Sequence, residues 1–319
     1  IKPPGGSPAD VPIHRSDFLL NTFVDIAIYD SRDESILDGA MALCREYENR
    51  FSRTLSGSEV YRLNHREDAT GTYPLSDDMT DLLATALYYC ERSGGAFDIT
   101  TEPLSSLWNF SGTSPSVPPA EAIEEARKKV DYKKLRLDGT RSTLTFLDPG
   151  TSIDLGAIAK GYIADQLKAY LLDSGVESAM INLGGNVLCV GSRPDGTPFT
   201  VGLQKPFADR NETFAQVEVS DLSVVASGVY ERHFVEDGKN YHHILDPSTG
   251  YPYDNGLISV TILSERSVDG DALSTTCFSL GLSRGMELVE SMDGVYACFI
   301  DEDYQIHYSD GMEKFLRKD

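Results

Sequence analysis

Apolar residues recur every three to four positions in several parts of the chain, and this spacing predicts amphipathic helices. The predicted helices cover 36–51, 77–93 and 120–130, a segment that includes Ala159 and ends at Ser174-Gly175, and a segment that begins near Asp269. A shorter helix is expected after Ser58, whose hydroxyl is a suitable N-cap. The glycine pair Gly94-Gly95 follows 77–93 directly, as is typical of a helix C-terminus.

Alternation of apolar and polar residues predicts strands between these helices. The predicted strands are one over 18–29, a hairpin from 135–137 and 143–147, a strand–Gly-Gly–strand unit over 178–190, two polar strand ends over 224–234 and 241–250, and a strand-like tail over 295–315. The Ser/Pro-rich stretch 111–119 is expected to be a connection.

The segment 151–162 is predicted to be the end of a strand that runs into a helix. Small residues at 156, 157, 159 and 161 would let a large ligand lie against the backbone. The helix N-terminus would offer free N–H groups and partial positive charge to a phosphate. Asp154 and Lys160 add charges of both signs. The alternative is an ordinary strand–helix corner with a surface lysine.

Two further segments carry candidate chemistry. Ala96-Phe97-Asp98 could contact a ring and its polar edge, or could equally be a core phenylalanine and a capping aspartate. Adjacent histidines at 242 and 243 would point to opposite sides of a strand, so at most one of them would share a site.

Asp271 and Thr275 are spaced i, i+4, which places them on one face near the start of their predicted helix. A carboxylate and a hydroxyl arranged in this way suit a hard cation that prefers oxygen ligands. An aspartate in a first helical turn is also a common complement to the helix dipole. Both interpretations stay open at this point.

Composition narrows the class of protein. The 319 residues contain 40% hydrophobic and 24% charged residues, as in a globular protein, and 28 Lys+Arg against 50 Asp+Glu give a net charge of −22. This balance argues against nucleic acid or an anionic membrane surface as the main partner. No run of 18 apolar residues predicts a transmembrane segment. Because the chain begins with Ile1, we expect a mature product from which a signal peptide or lipid anchor has been removed.

Common motifs are missing from the chain. The five cysteines are scattered and never form C-x-x-C, so buried thiols are expected. No dinucleotide-binding G-x-G-x-x-G after a strand, P-loop, G-x-S-x-G or H-E-x-x-H motif occurs. Rossmann, P-loop, serine-hydrolase and zincin functions therefore have no direct support.

Taken together, the polar motifs resemble those of the ApbE family of flavin transferases, the FAD:protein FMN transferases, over residues 16–315. The motifs that carry the resemblance are Ser52…Ser58-Glu59…Leu63-Asn64, Gly95-Ala-Phe-Asp98, Ile153-Asp-Leu-Gly-Ala-Ile-Ala-Lys-Gly161, Asn182-Leu-Gly-Gly-Asn186, Ser227-Gly-x-Tyr-Glu-Arg232, His243-x-Leu-Asp-Pro-x-Thr-Gly250 and Asp271-x-x-Ser-Thr275. Each motif is modest alone, but their common order and spacing make a strong signal.

The resemblance implies a fold and a site. The fold would be a single α+β domain over 16–319, with mixed or antiparallel sheets flanked by helices and an FAD cleft between two lobes, after a flexible lead-in over 1–15. His243 would be the general base. Mg²⁺ would be held by the Ala157 carbonyl, Asp271 and Thr275, with Ser274 close by. Residues expected to contact FAD are Leu20, Thr54, Ala96, Phe97, Asp98, Asp154, Lys160 and Leu245.

The resemblance also implies a reaction, in which FMN moves from FAD to a threonine hydroxyl of a partner flavoprotein and AMP is released. The partner would be a subunit of an electron-transfer membrane complex, and the enzyme would work outside the cytoplasm, in the periplasm or on the outer face of the cytoplasmic membrane. Two positions depart from the family pattern: Leu20 replaces a methionine, and Thr54 replaces a tyrosine that stacks on the flavin. The second departure keeps two alternatives open, an FAD pyrophosphatase that yields free FMN and AMP, and a non-catalytic flavin-binding protein.

Overall fold

The computed structural model describes residues 11–209 and 212–318. The helices are α1 (Glu34–Phe51), α2 (Glu59–Asn64), α3 (Asp77–Arg92), α4 (Glu102–Trp108), α5 (Ala120–Arg127), α6 (Ala159–Asp173) and α7 (Ser267–Glu290). Short 3₁₀ helices occur at Tyr132–Lys134 and Met312–Lys314. The strands are β1 (Ile13–Leu19), β2 (Thr22–Ile28), β3 (Gly71–Pro74), β4 (Leu135–Asp138), β5 (Thr143–Phe146), β6 (Ala179–Leu183), β7 (Asn186–Val190), β8 (Phe199–Gln204), β9 (Thr213–Val219), β10 (Ser223–Gly228), β11 (His233–Glu236), β12 (Lys239–His242), β13 (Leu257–Ser264), β14 (Tyr296–Asp301) and β15 (Ile306–Tyr308).

One large antiparallel sheet organises the fold. Its strand order is β1-β2-β6-β7-β10-β13-β14-β15, and every neighbouring pair is antiparallel. Smaller sheets are β3-β5-β4, β8-β9 and the hairpin β11-β12. The predicted α+β class with antiparallel sheets flanked by helices is confirmed.

Hydrophobic layers cover both faces of this sheet. On β13, Ile262 belongs to the main core together with side chains of α1, α3, α6 and α7, whereas Leu263 belongs to a second cluster with residues of β8 and β9. Because successive strand residues point to opposite faces, this alternation places a layer on each side. All eight residues of β13 are accordingly buried. The strand is thus buried on both faces, and this burial includes its polar residues Ser259, Thr261 and Ser264.

A third, smaller cluster joins α4 and α5 to the β11-β12 hairpin. Trp108 is 1% exposed at its centre and donates a hydrogen bond from Nε1 to the Gly250 carbonyl at 2.8 Å. Leu245 is buried in the same cluster. The chain that carries His243 and Leu245 is therefore fixed to the α4–α5 side of the molecule.

Several elements match the predictions closely. Ser58 caps α2 by accepting a hydrogen bond from the Tyr61 N–H at 2.9 Å. Strands β6 and β7 form the predicted hairpin around Gly184-Gly185. All five cysteines are buried free thiols. Among the described residues, no helix has the length and apolarity needed to cross a membrane.

Two strand predictions were wrong. The segment 18–29 contains a turn at Leu20 and Asn21, with φ values of 56° and 54°, that separates β1 from β2. The extended residues before α6 belong to no strand, because their backbone groups bond to a side chain and a loop. Most of the predicted lead-in, residues 1–10, lies outside the described residues, and β1 begins within its last part at Ile13.

Candidate active site

The segment that precedes α6 is held by two neighbouring elements. The Asn64 side chain at the end of α2 clamps Ile153: its Nδ2 donates to the Ile153 carbonyl at 2.8 Å and its Oδ1 accepts from the Ile153 N–H at 2.7 Å. The next residue, Asp154, donates its N–H to the Ile99 carbonyl at 2.8 Å. These bonds replace a strand ladder and fix the path of the chain into the helix.

The first turn of α6 meets the side chain of Asp271 from α7. The Gly161 N–H donates to Asp271 Oδ2 at 2.8 Å, and Lys160 Nζ lies 3.4 Å from Asp271 Oδ1. In a regular helix the Gly161 N–H would bond to the Ala157 carbonyl. Its use by Asp271 leaves that carbonyl without its usual helical partner, beside a buried carboxylate. The Asp271 side chain is only 6% exposed.

Close packing between α6 and α7 depends on the glycine at 161. A β-carbon there would lie 2.3 Å from the Ser267 carbonyl oxygen and 2.7 Å from Asp271 Cβ. Asp165, one turn further along α6, accepts from the free N–H groups of Ser267 and Val268 at 2.8 and 2.9 Å. Asp165 thus caps α7 from another helix. Gly161 therefore sets the distance between the two helices, which carry Lys160 and Asp271. The hydrogen bonds of the Asp165 carboxylate hold the helices together.

Asp165 is a functional candidate that was missed in the sequence. Burial raises its pKa to about 6, although the backbone N–H groups of Val268 and Ser267 oppose this shift. The available signal was its i, i+4 spacing from Gly161, which places both residues on one face of α6. The sequence could not show that α7 would begin against that face.

Hydroxyl groups surround the next turn of α7. Ser274 is fully buried and donates to the Asp271 carbonyl at 2.9 Å. The Ser227 hydroxyl at the end of β10 lies 2.8 Å from Ser274 Oγ and 3.2 Å from Thr275 Oγ1. The first turn of α7 ends before Asp271, and its N–H groups are capped by Asp165, so Asp271 is not the complement to the dipole of its own helix.

The donor set near Asp271 consists of oxygen atoms with a single carboxylate. Within the described residues, no group of three or more His, Cys, Asp or Glu side chains could hold a metal ion. The Ala157 carbonyl, the Asp271 carboxylate and the Thr275 hydroxyl are nevertheless hard ligands of the kind that Mg²⁺ accepts when substrate phosphates complete its shell. The residues present fit such an ion in chemistry.

His243 lies just after β12 with its N–H bonded to the Arg232 carbonyl at 3.1 Å. Its Nδ1 atom is buried and has no hydrogen-bond partner among the described residues, while the residue as a whole is partly exposed. Burial lowers the pKa of His243 to about 3, and the positive charges of Arg232 and Lys160 add to this effect. The neighbouring His242 differs, since its Nε2 pairs with the Tyr253 carbonyl at 2.9 Å.

The turn after α3 carries three predicted FAD-contacting residues, Ala96, Phe97 and Asp98. Phe97 is 3% exposed in the main core, and the Ala96 carbonyl accepts from the Tyr253 hydroxyl at 2.9 Å. Both Asp98 oxygens accept from the chain itself, Oδ1 from the Thr100 N–H and Oδ2 from the Tyr132 N–H. Burial raises the pKa of Asp98 despite these bonds. The contact of Ala96, Phe97 and Asp98 with FAD stays a prediction. Asp98 also stabilises the chain around it through its bonds to Thr100 and Tyr132.

Leu20 and Thr54 lie near the C-terminal end of α1. The Leu20 N–H donates to Glu48 Oε1 at 2.8 Å in the last turns of that helix. Thr54 is exposed, and its hydroxyl lies 3.2 Å from Ser52 Oγ. Leu20 and Thr54 thus bond to residues at the end of α1, and Leu245 packs in the cluster of α4 and α5. These contacts do not include Lys160 or Asp271, so the structure brings together only part of the predicted set.

Two surface depressions lie elsewhere. One, of about 440 Å³, is bordered by residues of α7 and by His307, and the other, of about 380 Å³, by residues of α3 and β4. Neither is lined by a predicted site residue.

Comparison with known proteins gives a consistent result. The model of the ApbE family matches residues 20–300. The chain is 37% identical over 293 residues to an FAD:protein FMN transferase of Klebsiella pneumoniae, covering 91% of this chain and 90% of that one. It is 33% identical over 322 residues to one of Treponema pallidum, covering 95% and 88%.

Solved structures agree with this result. The crystal structure of the ApbE protein from Thermotoga maritima superposes with a TM-score of 0.87 at 32% identity, covering 96% of this chain and 100% of that one. The flavin transferase ApbE from Vibrio cholerae gives a TM-score of 0.85 at 27% identity, covering 96% and 99%.

Proposed function

The chain belongs to the ApbE family, and from that premise we propose that it is an FAD:protein FMN transferase that moves FMN from FAD to a threonine hydroxyl of a partner flavoprotein and releases AMP. The single observation that carries the proposal is the junction of α6 with α7. There Lys160 and the Gly161 N–H, which is turned away from the Ala157 carbonyl, converge on Asp271. A lysine, a helix N-terminus and a hard-cation donor set are what a pyrophosphate needs in a protein of net charge −22.

Mg²⁺ would be held by the Ala157 carbonyl, Asp271 and Thr275, with Ser274 supporting the turn that carries them. When bound, the ion would neutralise charge on the phosphoryl oxygens of FAD. Lys160 Nζ, which lies 3.4 Å from Asp271 Oδ1, would bind a phosphate oxygen. The buried hydrogen bonds from Gly161 and Ser274 keep the Asp271 side chain and its turn in place, so little reorganisation accompanies binding.

His243 would accept the proton of the attacking threonine. Its low pKa keeps the imidazole neutral near pH 7, which a base requires. Neighbouring positive charge contributes to that low pKa, and an anionic pyrophosphate beside His243 would offset it. The ring would therefore become more basic when FAD binds.

In the transfer step the threonine Oγ forms a bond to the FMN phosphorus as the anhydride bond to the AMP phosphate breaks. The threonine proton goes to His243, and AMP carries the bonding electrons away.

We propose a flavoprotein subunit of an electron-transfer membrane complex as the acceptor. We also propose an extracytoplasmic location, testable by fractionation of cells that express the full-length protein: recovery with the cytoplasmic fraction would contradict it.

FAD hydrolysis is a second candidate reaction, favoured by Thr54. The exposed threonine offers no aromatic ring to cover a flavin, so water could reach the phosphorus in place of the acceptor hydroxyl. A lost aromatic stack weakens ligand retention by about 0.5–1.5 kcal/mol beyond the lost contact area. The products would be free FMN and AMP.

Incubation with FAD and Mg²⁺, followed by chromatography of the nucleotides, tests the proposal. An EDTA control should release no AMP. With an acceptor flavoprotein present, AMP should form without an equal amount of free FMN. Equal amounts of AMP and free FMN would identify the pyrophosphatase, and no AMP under any condition would leave a flavin-binding protein.

A further inference from the structure

Arg53 reaches across the candidate site from the connection between α1 and α2. Its Nε lies 3.3 Å from Asp154 Oδ2, and its Nη1 donates to Ser106 Oγ at 2.8 Å and lies 3.5 Å from Glu102 Oε1. Ser106 and Glu102 belong to α4, on the side of the molecule that also holds His243 and Leu245. The guanidinium therefore connects the segment before α6, which carries Asp154, with helix α4.

This arginine extends a row of alternating charges that begins at the pyrophosphate end. Asp271 pairs with Lys160, whose Nζ also donates to the Gly156 carbonyl at 3.2 Å. The Gly156 N–H donates in turn to Asp154 Oδ1 at 2.9 Å, and the other oxygen of Asp154 faces Arg53. Arg53 is thus the second cation of the row, beyond Lys160.

The contacts of Arg53 leave hydrogen-bonding capacity unused. Charge-assisted N–H to carboxylate bonds are typically about 2.7–2.9 Å long. Both carboxylates lie farther from Arg53 than that, and its Nη2 has no partner within the described residues. The side chain is 30% exposed, while Asp154 is 19% exposed. In a bidentate pair, both the guanidinium and the carboxylate would be fully used by each other. Here the Arg53 guanidinium and the Asp154 carboxylate lie side by side with a donor and an acceptor still available to a ligand.

We propose that Arg53, together with Asp154, binds the polar edge of the isoalloxazine ring of FAD. That edge presents a carbonyl acceptor, an N–H donor and a second carbonyl acceptor in succession. The guanidinium N–H groups would donate to a carbonyl, and the Asp154 carboxylate would accept from the ring N–H. Along either edge, the amino donor of adenine has only one neighbouring ring-nitrogen acceptor, so adenine would use the pair less fully than an N–H flanked by two carbonyls. This assignment rests on the proposed function, because FAD is the substrate that it supplies.

The test is equilibrium binding in EDTA, where no turnover occurs, with FAD, FMN and AMP as separate probes. Flavin fluorescence measures the first two, and calorimetry measures AMP. Arg53→Gln should weaken FAD and FMN binding by about ten- to a hundredfold through loss of a charge-assisted donor. AMP affinity should stay unchanged. Arg53→Lys keeps the charge but loses the planar guanidinium, so its FAD and FMN affinities should lie between those of wild type and Arg53→Gln.

Arg127→Gln is the matched control. Arg127 is 33% exposed and pairs with Glu124 on the surface of α5, so its loss should leave all three affinities unchanged. Should Arg53→Gln lower the thermal unfolding temperature, Arg53→Lys at wild-type stability must still bind FMN more weakly. Wild-type FMN affinity in both variants would overturn the inference, as would a loss confined to AMP.

The two proposals fail in different ways. If the wild-type protein releases no AMP from FAD and Mg²⁺, the proposed function is wrong. If it does release AMP while Arg53→Gln binds FMN as tightly as wild type, only the role of Arg53 is wrong.

Discussion

Gly161→Ala should disrupt activity far more than stability. The new methyl group would lie 2.3 Å from the Ser267 carbonyl oxygen, 2.7 Å from the Ser267 carbonyl carbon and 2.7 Å from Asp271 Cβ. Two of these atoms are backbone, so a rotamer change cannot relieve the overlap. Helices α6 and α7 must separate by roughly 1 Å to restore ordinary contact distances.

The energetic cost has two opposing parts. Overpacking of this kind costs about 1–3 kcal/mol, while replacing a helical glycine by alanine returns about 0.5–1 kcal/mol. We therefore expect a decrease of the unfolding temperature by a few degrees. Activity should fall more, because separation of the helices lengthens the 2.8 Å bond from Gly161 N to Asp271 Oδ2 and moves the carboxylate. A displacement of about 1 Å can cost on the order of 10²-fold in rate.

The assay is AMP release from FAD with Mg²⁺, alongside thermal unfolding followed by circular dichroism. Gly139→Ala is the control, since a β-carbon at Gly139 would meet no atom within 4 Å. It should match wild type in both measurements. If Gly161→Ala releases AMP within about twofold of the wild-type rate, helix spacing does not position Asp271 and our reasoning about this junction fails.

Other substitutions test single groups. Asp271→Asn should reduce AMP release more than about a hundredfold, while FAD affinity in EDTA stays the same; near-normal turnover would remove the metal assignment. His243→Ala should block FMN transfer but not FAD binding, and in wild type the acid limb of kcat/KM should lie below pH 6.5 because burial lowers the His243 pKa; lost FAD binding or an acid limb above pH 6.5 would contradict the role. The raised pKa of Asp165 means that wild type loses about 2 kcal/mol of unfolding free energy as pH rises from about 4 to about 6. Asp165→Asn should lack this loss in denaturant titrations at the two pH values, and a wild-type pH dependence in that variant would refute the assignment.

The predictable parts of the fold depended on local signals. Helices α1 and α3 follow their apolar spacing, and Gly94-Gly95 marks the end of α3 with two positive φ values. The hairpin of β6 and β7 follows from its Gly-Gly turn. In each case residues adjacent in sequence determine the structure.

The parts that failed depended on distant partners. Ile153 and Leu155 have the apolar alternation of a strand, but the partner of Ile153 is the Asn64 side chain, which no pattern could reveal. Leu20 adopts a left-handed conformation without the glycine that usually signals such a turn. The same limit applies to the candidate site, where motifs identified Lys160 and Asp271 but not Arg53, whose role depends on a helix 49 residues away.

The measurement that tests the central claim most directly is the intact mass of an acceptor flavoprotein after incubation with this protein, FAD and Mg²⁺. We predict that the acceptor gains the mass of one FMN less one water. This gain should be absent with the Asp271→Asn variant and when the acceptor threonine is replaced by valine. An unchanged acceptor mass in the wild-type reaction, with AMP and free FMN accumulating together, would contradict the account and identify an FAD pyrophosphatase.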